Sequence, residues 1–305
     1  MTYLVAENVP NEPAGERFRA LVEAPGILQL PGAYNGLSAL QAKAAGFAGV
    51  YLSGAAMSAQ MGLPDLGMLT IDDVCFYVRQ IARASALPIL VDGDTGFGEA
   101  LNVMHMVRLF EEAGAGAVQI EDQLLPKKCG HLNDKKLASA ADMAAKVAAA
   151  RKARRHLYIV ARTDALEREG LDGAIARAKL YVEAGADAIF PEALNDAESF
   201  ARFSAEVKVP LLANMTEFGK TPFMTADQFE ALGYKMVIWP VTALRMAAKA
   251  HEELYATLRD TGWAKPLVDR MQTRAELYAT IGYHEYEGLD GTIARSVIPN
   301  GNPEA

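Results

Sequence analysis

Short apolar runs recur along the chain, and four of them follow the same signal. Ala45-Gly46 precedes residues 49–52, Ala113-Gly114 precedes 117–120, Ala184-Gly185 precedes 188–190, and Leu232-Gly233 precedes 236–239. Glycine just past a helix takes the left-handed conformation that ends it, so each run reads as a strand entered from a helix. The runs lack polar alternation, the mark of strands covered on both faces, as in a parallel sheet. Four more, at 27–30, 88–91, 157–160 and 210–212, lie between them. Amphipathic stretches follow nearly all eight, 100–112, 140–154 and 171–183 among them. Eight alternating units predict an α/β fold, a (β/α)8 TIM-type barrel.

No composition break or linker divides the chain, so residues 1–305 read as one barrel domain. Residues 1–25 form a helical lead-in over the barrel floor. After the eighth unit, about 260–290 add helices for which the barrel has no position. An apolar surplus helix is expected to pack on another subunit, giving a homo-oligomer. Residues 300–305 read as a frayed tail.

Composition narrows the function classes. With 51% hydrophobic and 22% charged residues, the chain is neither disordered nor fibrous. A net charge of −8 without a basic block argues against a nucleic-acid partner or an anionic membrane surface. No apolar run reaches the ~18 residues of a membrane span, and the N-terminus lacks the pattern of a signal peptide. Only Cys75 and Cys129 are present, so a disulfide scaffold is not expected. The expected setting is cytoplasmic and reduced.

Polar residues gather where the predicted strands end, and a barrel of this kind carries its chemistry at those carboxyl ends. Asp92 and Asp94 share period-two spacing, so both can face one side. Their repulsion would be relieved by a hard cation with oxygen ligands, Mg2+ or its substitute Mn2+. Glu121, one strand on, and Asp65, in Gly62-Leu63-Pro64-Asp65-Leu66-Gly67, could join through water. Helix capping is the alternative for any one of these acids. A calcium loop fails because its twelfth position is Val103, and the five scattered histidines give no zinc spacing.

The second concentration is Lys127-Lys128-Cys129-Gly130-His131. Two lysines and a histidine around a thiol predict a positive local field that lowers its pKa and suits proton transfer. Burial is the alternative, and it is the reading for Cys75. Arg162, at a strand end, Arg245 and Arg274 can each grip a carboxylate with two parallel hydrogen bonds. The residues alone therefore describe a metal-dependent barrel enzyme acting on a small polycarboxylate.

These motifs resemble the isocitrate lyase and phosphoenolpyruvate mutase superfamily, and specifically its methylisocitrate lyase branch, over nearly the whole chain. The resemblance is carried by Tyr51-Leu52-Ser53-Gly54, Asp92-Gly93-Asp94-Thr95-Gly96-Phe97-Gly98, Cys129-Gly130-His131, Arg162-Thr163-Asp164, Pro191-Glu192 and Asn214-Met215-Thr216-Glu217-Phe218-Gly219. Residues 271–278 continue it. One departure stands out: many members continue Ser-Gly with further glycines, where this chain has Ala55 and Ala56.

The resemblance implies Mg2+-dependent cleavage of 2-methylisocitrate, a tricarboxylate, to pyruvate and succinate, as in propionate catabolism. It implies Cys129 as the acid that protonates succinate, with Lys127, His131 and Arg162 beside it and Tyr51 as the base. It assigns substrate contacts to Ser53, Gly54, Ala55, Cys129, Gly130, Arg162, Glu192, Asn214, Met215, Thr216, Arg245 and Arg274. It also implies a tetramer whose C-terminal helices exchange between subunits. The alternatives are isocitrate cleavage, oxaloacetate decarboxylation or hydrolysis, phosphonopyruvate-type chemistry, or a degenerate barrel that only binds.

Overall fold

In a computed structural model that describes residues 2–292, the eight expected strands are all present. They are β1 (Leu28–Pro31), β2 (Val50–Leu52), β3 (Ile89–Asp92), β4 (Ala117–Glu121), β5 (Tyr158–Thr163), β6 (Ala188–Pro191), β7 (Leu212–Asn214) and β8 (Met236–Trp239). The helices before and between them are α1 (Ala14–Glu23), α2 (Gly36–Ala44), α3 (Gly54–Gln60), α4 (Ile71–Ser85), α5 (Ala100–Ala113), α6 (Ala140–Ala153), α7 (Leu166–Ala184), α8 (Ala197–Glu206) and α9 (Ala226–Ala231). Then come α10 (Thr242–Thr261), α11 (Arg274–Ile281) and α12 (Tyr283–Thr292). The tail at 300–305 lies outside the described residues.

All strand pairs are parallel, in the orders β7-β8-β1 and β2-β3-β4-β5-β6. Two isolated bridges, Gly32 with Tyr51 and Ile189 with Leu211, span the joints between these sheets. The strand order thus runs round a full circle, with continuous ladders replaced by single bridges at two seams. Pro31 ends β1 and Pro210 precedes β7, and neither can supply the N–H a longer ladder needs. The glycines of the recurring signal behave as expected: Gly46, Gly114, Gly185 and Gly233 all have positive φ.

Strand parity sorts the core into two. Val50, Leu52, Ile89, Val91, Ile159 and Ala161 belong to the layer between strands and helices. Their neighbours Tyr51, Leu90, Ala117, Tyr158, Val160, Phe190 and Leu212 fill the interior. Phe18 and Val22 of α1 join that interior cluster, and the Phe18 ring lies 5.5 Å from that of Tyr158. The lead-in helix is therefore a plug for the sheet interior. Continuing the inward parity by two residues past Leu90, Val160, Phe190 and Leu212 reaches Asp92, Arg162, Glu192 and Asn214. Packing of the apolar layers dictates where those polar groups point.

The chain divides into two compact units, Asn11–Ala250 and the pair of ends Met1–Pro10 with His251–Ala305. The first contains all the strands. In the second, α11 and α12 stack Tyr278 on Tyr283 with ring centroids 4.4 Å apart, and neither helix buries a residue. Among the described residues, no helix is long and apolar enough to cross a membrane.

Candidate active site

At the carboxyl ends of the strands lies a cavity of about 570 Å3, open solvent at its mouth included. Tyr51, Ser53, Ala55, Asp65 and Asp92 line one part of it, and Lys127, Cys129, Gly130, His131 and Arg162 another. Glu192, Asn214, Thr216 and Arg245 complete the polar wall, while Phe190, Ile238, Pro240 and Val241 form an apolar one. Residues far apart in sequence thus meet in one pocket. Met215 does not line it: the side chain turns into the core, where Met224 N–H meets its sulfur at 3.2 Å. Arg274 belongs to the other unit, where it opens α11 and is exposed.

Asp92, at the end of β3, is held from three directions. Its Oδ2 accepts the Gly54 amide at 3.0 Å, and its Oδ1 accepts the Asp94 amide at 3.1 Å and Gln119 Nε2 at 3.2 Å. The Gly54 amide is therefore committed to Asp92. A side chain at Gly54 would put its Cβ 3.0 Å from Asp92 Oδ2 and 3.1 Å from Asp94 Oδ1, so glycine lets this helix start press against the acids. Gln119, a polar residue at the centre of β4, also accepts from the Tyr51 hydroxyl at 3.0 Å. Burial, then the charge of Asp92, pushes the Tyr51 phenol well above its ordinary pKa. Tyr51 stands as a donor.

The acids are under-compensated. Asp94 Oδ1 and both oxygens of Glu121 are buried without a well-directed hydrogen-bond donor. Lys127 Nζ nonetheless lies 2.7 Å from Asp94 and 2.5 Å from Asp65, and Arg162 Nη1 lies 3.1 Å from Glu121. Burial raises the Asp94 pKa to about 6 against the pull of Lys127, and burial drives Glu121 well above the carboxylate range. This oxygen-only set suits a hard divalent cation. Among the described residues no three His, Cys, Asp or Glu side chains form a ready cage.

Arg162 is committed more fully than its sequence position suggests. Its Nε and Nη2 grip Asp164 at 2.9 and 3.0 Å, so the fork faces a protein carboxylate. Its Nη2 also lies 3.4 Å from Glu192. His131 Nδ1 accepts the Lys220 amide at 2.9 Å, which leaves Nε2 to donate to Glu192 at 3.1 Å. Burial opposes ionisation of Glu192, but Arg162 and then His131 overcome it and hold the acid down at about 2. Arg245 is tied by Glu217, 2.8 Å away, and reaches Thr216 at 3.3 Å.

The lowered pKa expected for Cys129 is not found. Lys127, next but one in sequence, points into the barrel toward Asp65 and Asp94 and pairs with them. Cys129 reaches solvent at the mouth, yet crowding by protein is the largest influence on its thiol. That desolvation pushes the pKa up, the His131 backbone amide resists, and Glu192 adds to the rise. A raised pKa keeps the proton on sulfur at neutral pH, the state a general acid requires.

Fold and site together define a (β/α)8-type protein with buried acids, cationic side chains and a thiol gathered at its strand ends. The family model described as phosphoenolpyruvate phosphomutase matches residues 18–259, and the chain belongs to that family. It is 53% identical over 300 residues to a 2-methylisocitrate lyase of Bacillus subtilis (strain 168), covering 98% of this chain and 100% of that protein. A crystal structure of 2,3-dimethylmalate lyase superimposes with a TM-score of 0.87 at 31% identity, covering 97% of this chain and 100% of the other. A phosphonopyruvate hydrolase complex with oxalate and Mg2+ gives 0.84 at 29% identity, covering 93% and 100%.

Gly130 provides a sharp test of the geometry. A Cβ there would fall 2.2 Å from Glu192 Cγ and 2.4 Å from Arg162 Nη2, neither of which can retreat from its ion pairs. Gly130→Ala should keep the far-UV circular dichroism of the wild type and lose about 10²-fold in turnover, the usual cost of misplacing a reacting group by about 1 Å. Retention of full activity would show that the loop does not seat against Glu192.

Proposed function

We propose that this chain is a carbon–carbon lyase that splits 2-methylisocitrate into pyruvate and succinate. The observation that carries the reading is the position of Cys129, a protonated thiol, in the same cavity as the buried acids Asp92 and Glu192. Identity to a 2-methylisocitrate lyase over the full chain supports it.

The substrate offers three carboxylates and a hydroxyl. Arg245, Thr216, Asn214 and the backbone near Ser53 and Ala55 bind carboxylates at the polar wall. The apolar wall of Phe190, Ile238, Pro240 and Val241 receives the methyl group. Asp92 and Asp94 would hold Mg2+ or Mn2+, with Asp65 and Glu121 reached through water. When bound, the ion supplies positive charge to the oxyanion that develops on the carbinol carbon.

The hydroxyl proton leaves toward the buried carboxylates. The Tyr51 phenol, raised by burial and by Asp92, keeps its own proton and serves as a donor there. The C–C bond then breaks, the oxygen electrons forming the pyruvate carbonyl. The bond pair stays on the succinate carbon, and Cys129 gives it a proton. Arg162 and His131 hold Glu192 ionised beside the thiol, which favours the protonated form of sulfur until the carbanion draws the proton away.

For assembly, we infer a homo-oligomer, with a tetramer of helix-exchanged pairs as the form the resemblance implies. Its support is that α10, α11 and α12 bury no residue while Tyr255, Trp263, Met271 and Ile281 are exposed. A free thiol at the pocket mouth suits a reducing, cytoplasmic setting.

Parallel assays of purified protein on 2-methylisocitrate and isocitrate test the reading. Pyruvate should form from the first, cease with EDTA and return with Mg2+. A pocket that fits one methyl group contributes about 1–3 kcal/mol, so isocitrate should be poorer by roughly 10–200-fold in kcat/KM. Equal or better use of isocitrate would contradict the substrate assignment.

Cys129→Ser should fold and still bind product while kcat falls by roughly 10²–10⁴-fold, the range of general acid–base catalysis. The thiol acts as an acid, so wild-type kcat should fall only as pH rises past its elevated pKa, above the ordinary thiol value of about 8.5. That alkaline limb should vanish in Cys129→Ser. An unchanged limb would assign it to another group.

A further inference from the structure

Lys135 has no part in the chemistry described so far, yet its side chain is buried at the site. It is 2% exposed, and a buried ammonium persists only where negative groups meet it. Its Nζ donates to the Gly130 carbonyl and lies 3.2 Å from Asp164 Oδ1. Asp164 is a firm anchor. It is fully buried at the end of β5, accepts both arms of Arg162 at 2.9 and 3.0 Å, and donates its own amide to Asp122 at 2.8 Å.

The other end of this link is the residue that follows Cys129. Gly130 sits so close to Glu192 and Arg162 that a methyl group would collide with both. Ahead of the thiol, Gln123 clamps Lys128 through two hydrogen bonds of 2.9 Å. Behind it, His131 is held by Glu192 and the Lys220 amide. Lys135 supplies a remaining tie, from the loop's own backbone to β5.

We propose that Lys135 is a positioning residue that fastens the Gly130 carbonyl to Asp164 and thereby sets where Cys129 meets the substrate. This rests on the lyase reading. Removing the amine leaves Asp164 with the Arg162 fork, so the carboxylate stays compensated and the barrel keeps its pairing.

The test uses the full chain with Mg2+ and compares wild type, Lys135→Met and Lys135→Arg. Lys135→Met should lower kcat by about 10²-fold, with KM changed by less than about threefold, because placement of the acid is lost while binding groups remain. Lys135→Arg, which keeps a cation there, should recover at least about tenfold of that loss. Iodoacetamide gives a readout independent of turnover. Cys129 should alkylate about tenfold faster in Lys135→Met as the released thiol regains water, while buried Cys75 stays unmodified.

Unchanged kcat and alkylation in Lys135→Met overturn the proposal, as does Lys135→Arg performing no better than Lys135→Met. Reactive Cys75 in both variants also overturns it, since Lys135 then serves general stability. A wild type inert on 2-methylisocitrate defeats the lyase reading instead, and the alkylation comparison still decides the role of Lys135.

Discussion

Negative charge buried at the strand ends is the constraint on which the rest of this structure depends. Asp92, Asp94, Glu121, Asp164 and Glu192 are all nearly inaccessible to solvent. Carboxylates so placed cannot all remain ionised without positive charge brought among them. Arg162 serves Asp164, Glu121 and Glu192 at once, and Lys127 serves Asp65 and Asp94. Even so, Asp94 Oδ1 and both oxygens of Glu121 receive no well-directed hydrogen bond.

Much of this compensation comes from one connection. Lys127, His131 and Lys135 lie in the segment between β4 and α6, and each meets a buried acid anchored elsewhere. The same segment carries Cys129. Charge balance in the barrel mouth and the position of the thiol are therefore coupled: the loop cannot lift without leaving acids bare. The strand-end carboxylates thus hold the thiol-bearing loop against the cavity.

The fold was legible because each strand is an apolar run bounded by a helix-ending glycine, a signal that needs no long-range information. Inward parity then carries Asp92, Arg162, Glu192 and Asn214 to one mouth. The seams at Pro31 and Pro210 were not legible, since they depend on which strands meet. Side-chain direction was the main loss. Lys127 is two residues from the thiol in sequence but points to Asp65 and Asp94, and burial raises the Cys129 pKa that its neighbours along the chain suggest is lowered. Arg162 is free in sequence and gripped by Asp164 in space. Met215 sits within a motif yet faces the core. Gln119, which links Tyr51 to Asp92, had a faint signal as an amide between the apolar Val118 and Ile120 of a buried strand. Lys135 had none, because its role appears only when its loop folds back on Gly130.

The central claim of the proposed lyase mechanism is that one exchangeable proton is delivered to the succinate carbon as the C–C bond opens. Turnover of 2-methylisocitrate in D2O with Mg2+, followed by NMR, tests this most directly. Pyruvate and succinate should accumulate in equal amounts, with one deuterium in a succinate methylene group. Pyruvate without succinate, or succinate carrying no deuterium, would contradict the account.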